Sequence, residues 1–153
     1  MAIALARDFK EFLKSLNSNR VEYLLIGGYP VGIYGSIRAT NDLQIWVDVN
    51  PENAARIDRA LRQFGFATPT LTSDLFLARD SVVRMGVPPI RIEILTTIDG
   101  VEFDSCFAEK EMIQIEELLV PAISLARLRE NKAASGRPKD LADLENLPGQ
   151  AGV

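Results

Sequence analysis

Three side chains carry the chemistry this sequence suggests: Asp42, Gln44 and Glu93. Asp42 and Gln44 lie two residues apart in Asp42-Leu43-Gln44-Ile45-Trp46-Val47, so on an extended strand both project from one face, roughly 7 Å apart. Two acids at that spacing clamp a divalent ion from one side. A third acid on a neighbouring strand completes a site for two-metal phosphoryl transfer. Asp42 supplies the first acid. Glu93, in Arg91-Ile92-Glu93-Ile94-Leu95, is the candidate for the third, because alternation buries Ile92 and Ile94 and turns Glu93 to the other face beside Arg91. Gln44 stands in the second position. It offers Mg²⁺ a carbonyl oxygen but no charge, and is a poorer ligand for a hard cation. Asp48 is no substitute, since six residues along a strand is roughly 20 Å.

Upstream, the apolar run Tyr23-Leu24-Leu25-Ile26 enters a double glycine, Gly27-Gly28. A strand, a Gly-Gly turn, a short helix and a second strand opening on a carboxylate suit a nucleoside triphosphate. The glycines let backbone N–H groups approach phosphate, and the acid holds Mg²⁺ against the same phosphates. Arg38 and Lys139 are candidate counter-charges for such a ligand. Plainer readings stand beside these. Gly-Gly after a strand is most often a turn, Asp42 can be a polar residue on an exposed face, and Glu93 can be an ordinary partner for Arg91 or another surface cation. Lys139 near a helix start can simply be solvated, and Asp140 and Asp143 can stabilise the first turn of the last helix.

Composition narrows the chemistry further. The 153 residues suit one domain over 1–147 with a flexible tail over 148–153. A net charge of −4 argues against broad electrostatic capture of nucleic acid or anionic membrane, though not against a small anion held by local cations. The sequence has no histidine, which removes histidine general bases and the usual zinc sites. The lone Cys106 cannot form an internal disulfide, so a reducing cytoplasm fits best. Charged residues interrupt the apolar opening, and no apolar run approaches the ~20 residues a membrane span needs.

The positioning elements follow from periodicity. Phe9, Phe12, Leu13 and Leu16 predict an amphipathic first helix ending near Asn17-Ser18-Asn19. Strands are expected at Val21–Ile26 and Asp42–Val49, with a short helix at Tyr29–Gly35 between them. Asn50-Pro51-Glu52 caps a helix that Gly65 ends. Thr72-Ser73-Asp74 begins a short helix. Strands at Val82–Met85 and Ile90–Leu95 join through Gly86-Val87-Pro88-Pro89, and a small hairpin spans Ile113–Val120. Helices over Ala122–Ala134 and Lys139–Leu147 close the chain. Trp46 reads as packing and Cys106 as buried and inert. The pattern is α/β (α+β), with a mixed β-sheet flanked by helices and C-terminal helices.

With these motifs in place, the chain resembles the minimal nucleotidyltransferase-fold proteins, of the small kind related to AbiEii-type toxins and other stand-alone bacterial nucleotidyltransferases. The resemblance rests on Gly27-Gly28, on Arg38-Ala39-Thr40-Asn41-Asp42-Leu43, on Glu93, and on Lys132 followed by Gly136-Arg137-Pro138-Lys139-Asp140-Leu141-Ala142-Asp143-Leu144, and it covers about residues 21–147. It implies Asp42, Gln44 and Glu93 at metal, Asp42 and Glu93 as the catalytic acids, and Gly27, Gly28, Arg38 and Lys139 around the triphosphate. Gln44 departs from the family's Asp-x-Asp pattern. Two readings therefore stand. One is Mg²⁺-dependent transfer of a nucleoside monophosphate to a protein, a tRNA end or a small molecule, weakened by Gln44. The other is a non-catalytic nucleotide- or partner-binding module, such as one component of a toxin–antitoxin or defence pair with a partner protein from the same operon.

Overall fold

The computed structural model describes residues 6–35, 42–66, 69–87 and 90–148. Arg38 and the tail beyond Pro148 lie outside the described residues. The chain begins with helix α1 (Arg7–Ser18) and strand β1 (Tyr23–Ile26), turns through Gly27 into helix α2 (Gly28–Tyr34), and returns as strand β2 (Asp42–Val47). Helix α3 (Pro51–Phe64), a 3₁₀ turn (Ser73–Phe76) and a hairpin of β3 (Val82–Val87) and β4 (Ile90–Leu95) follow. Helix α4 (Phe103–Ala108), a second hairpin of β5 (Glu111–Ile115) and β6 (Leu118–Ala122), and helices α5 (Leu125–Ser135) and α6 (Pro138–Glu145) complete it.

The strands form one six-stranded mixed sheet in the order β3-β4-β2-β1-β6-β5. β1 is antiparallel to β2 and parallel to β6, while β2 runs parallel to β4. Each face buries its own layer. Tyr23, Leu25, Leu43, Ile45, Val47, Ile92 and Ile94 pack with residues of α1 and α3, including Phe9, Phe12, Leu13, Ile57 and Leu61. Leu24, Ile26 and Trp46 on the other face meet Phe103, Cys106, Leu128 and Leu147. Trp46 lies edge-on to Phe103 with ring centroids 5.2 Å apart, a packing residue as expected. No helix among the described residues is long and apolar enough to cross a membrane.

Several boundaries depart from the sequence reading, each for a local reason. β1 starts at Tyr23, two residues late; at Glu22 the buried Asn53 side chain binds the backbone, its Oδ1 accepting from the N–H at 2.8 Å and its Nδ2 donating at 3.0 Å to the carbonyl, which also accepts from the Asp48 N–H at 3.2 Å. β2 stops at Val47, where Asp48 turns back to accept from the Val49 N–H and the Asn50 amide. Ala122 ends β6, opposite Leu25, and does not open a helix. Ser124 is the true start of α5, its hydroxyl accepting from the Arg127 N–H. α4 has no counterpart in the sequence reading. Six residues hold too few turns to show periodicity, yet Phe103 and Cys106, three apart, bury the same side.

Candidate functional site

Residue pairing between β2 and β4 sets the site. Because these strands are parallel, Asp42 lies opposite Arg91 and Gln44 opposite Glu93, and opposed residues share a face. On the other side of β2, Gln44 lies opposite Ile26, the last residue of β1 before the Gly27 turn. Asp42, Gln44, Glu93 and the double glycine thus stand together at one end of the sheet, where the apolar cover of the second face gives way to polar side chains.

Gln44 is held from both sides. Its Nε2 donates to Glu93 Oε1 at 2.8 Å. A carboxylate only accepts, so the amide's oxygen must face away from Glu93, and it faces Gly27. A Cβ built on Gly27 would come 2.0 Å from that Oε1. Gly27 also has φ +80°, a backbone conformation that side chains disfavour. Glycine is required here twice over, and the room left by its missing side chain is filled by Gln44.

The acids are paired within the fold. Glu93, only 5% exposed, accepts from Gln44 on one oxygen and from Arg84 Nε at 2.6 Å on the other. Asp42 Oδ2 accepts from Arg91 at 2.8 Å, and that bond holds the Arg91 guanidinium above its ordinary pKa. Glu93 is thus paired with a surface cation, as its plainer reading allowed, and that cation is Arg84; Arg91 serves Asp42. Arg84 was legible only as an alternating polar residue on β3, since its partner depends on the β3–β4 register.

The donor set fits a divalent ion poorly. Mg²⁺ seeks charged oxygens with free lone pairs. Gln44 turns its N–H toward Glu93, and Glu93 has both oxygens engaged. No three acidic, histidine or cysteine side chains among the described residues stand close enough to hold a metal ion.

The opposite wall comes from the C-terminal helices. Gly136, at φ +65°, ends α5, and Pro138 opens α6 in its first turn. This sharp reversal brings four charges together. Lys132 Nζ donates to Asp140 Oδ1 at 3.0 Å and lies 3.3 Å from Asp143 Oδ2. The Ser135 hydroxyl and Arg137 Nε, the latter at 2.7 Å, donate to Asp140 Oδ2. Burial alone would raise the Asp140 pKa, but the bonds from Ser135, Lys132 and Arg137 outweigh it and hold the carboxyl down at about 2. Asp140 and Asp143 therefore join the two helices through Lys132, beyond any role in the first turn of α6. The sequence reading placed Lys132 in the motif without this function, because the contact needs the chain reversal to form.

Between these walls lies a cleft of about 700 Å³. Gly27, Gly28, Asp42 and Gln44 line one side; Lys132, Arg137 and Lys139 line the other. Arg91, Lys132, Arg137 and Lys139 face it against Asp42, Asp99 and Asp140, four cations to three acids in a chain of net charge −4. Lys139 and Arg137 thus share a cleft with Asp42. Glu93 reaches it through Gln44.

Neither a protein-family model nor a curated protein matches this chain in sequence. In structure it is similar to a candidate nucleotidyltransferase (TM1012) from Thermotoga maritima, solved by crystallography. The TM-score is 0.62 at 16% identity, over 91% of this chain and 89% of that one. The mixed sheet flanked by helices is therefore a nucleotidyltransferase-like fold.

Proposed function

We propose that this chain is a nucleotidyltransferase-like protein that binds a nucleoside triphosphate in the cleft between Gly27-Gly28 and α6. Its Mg²⁺-dependent transfer of a nucleoside monophosphate to an acceptor is weakened by Gln44. The observation that carries this reading is the placement of Gln44 between Gly27 and Glu93, and the residue motifs support reading that position as the second acid's. The cleft's cations support the nucleotide half: Arg91, Arg137 and Lys139 face the space that phosphates would enter. The engaged oxygens of Glu93 support the weakened half. The kinship with small AbiEii-type proteins, proposed on the residue motifs, leaves the acceptor as a protein hydroxyl, a tRNA end or a small molecule.

The same engaged oxygens favour a second reading, a non-catalytic module acting through a partner protein. Transfer of label from an α-phosphate-labelled triphosphate, with Mg²⁺ present, separates the two. Under the first reading the unmodified protein transfers slowly and Gln44→Asp gains on the order of 100-fold, the scale of one electrostatic group in such a site. Asp42→Asn abolishes the remainder. Brisk transfer by the unmodified chain, unchanged by Gln44→Asp, removes position 44 from the site. Failure to bind any of the four triphosphates refutes the nucleotide reading altogether.

A further inference from the structure

We infer that the cleft binds a nucleoside triphosphate without a divalent ion, the fold's own cations already compensating the acids that an ion would otherwise neutralise. This rests on the nucleotide-binding reading and adds its charge balance. An ion in such a site does two things: it cancels the repulsion among the acids and it bridges them to phosphate. Here the first is already done. Glu93 is neutralised by Arg84 at 2.6 Å and hydrogen-bonded by the Gln44 amide at 2.8 Å, and Asp42 is neutralised by Arg91 at 2.8 Å. The second falls to side chains that line the cleft. Arg91 binds Asp42 through one Nη and Arg137 binds Asp140 through Nε, so each planar guanidinium has further N–H donors suited to phosphate oxygens, and Lys139 adds a point charge from α6. Gln44 is central because it is uncharged. An acid in its place would set two carboxylates against each other across a 2.8 Å contact and create a demand for a cation.

Calorimetry with each nucleoside triphosphate, in EDTA and then in excess Mg²⁺, tests this. The unmodified protein binds at least one of them in both, with dissociation constants within about threefold. Gln44→Asp and Arg84→Gln each leave one carboxylate charge uncompensated. Each weakens binding in EDTA about tenfold, the effect of one charge roughly 10 Å from phosphate at an effective dielectric constant of about 25, and Mg²⁺ restores it. Mg²⁺ rescue distinguishes this from simple loss of structure. Binding by the unmodified chain in Mg²⁺ but not in EDTA overturns the inference and leaves the nucleotide reading standing. No binding in either condition overturns both. Variants that bind in EDTA as the parent does also overturn it.

Discussion

Replacing Lys132 with methionine removes a cation shared by two buried carboxylates, and the structure sets the scale of the loss. Lys132, Asp140 and Asp143 are 6%, 4% and 5% exposed. Breaking a buried ion pair by deleting one partner costs about 3–5 kcal/mol, because the remaining charge stays desolvated. Asp140 keeps its bonds from Ser135 and Arg137, and the Arg137 side chain is 76% exposed, so its share of the charge remains partly hydrated. Asp143 loses its 3.3 Å contact with Lys132. The low end of the range applies, about 3 kcal/mol. For a chain of this length that corresponds to a fall of about 6–12 °C in Tm. Thermal unfolding followed through Trp46, the only tryptophan and buried in the second core layer, reads it directly. A control replaces Lys132, Asp140 and Asp143 together with methionine and leucines and recovers most of the loss, since no charge is then left buried. If Lys132→Met unfolds within about 1 kcal/mol of the parent, the network does not hold α6 against α5, and the account of the cleft's second wall fails.

Gly27→Ala is expected to destabilise by about 1–3 kcal/mol, from the positive φ and from the methyl meeting Gln44, which can swing aside only by releasing Glu93; urea unfolding of this variant and of Gly27→Ala/Gln44→Ala separates the two terms. Asp140, lowered from an ordinary 3.8 to about 2, adds about 2 kcal/mol of stability that is fully present above pH 3.8 and lost as pH falls through 2. Asp140→Asn flattens that acid limb of the stability profile, and an unchanged profile refutes the assignment. Cys106 is buried and its thiol is pushed up to about 11 by that burial, so a disulfide reagent at pH 8 reacts slowly with the native protein and at an ordinary rate after unfolding; fast native reaction contradicts the packing of α4.

The period-two pattern of two short segments already assigned Asp42 and Gln44 to one face of their strand and Glu93 to the face away from Ile92 and Ile94. Asn50-Pro51 and Gly65 likewise marked both ends of α3, because capping is a property of a few adjacent residues. Such features are local, and a local sequence pattern determines them. Partnership is not local. Whether Glu93 meets Arg91, two residues away on its own strand, or Arg84 across a hairpin depends on strand neighbours and register, which only the assembled sheet decides. The same holds for Gln44. The sequence alone determined that an uncharged amide stands there, two residues from Asp42 and on its face. The tertiary structure decided that its N–H would turn to Glu93 and its oxygen to Gly27, because strand register sets Gln44 between that carboxylate, which only accepts, and the Gly27 turn.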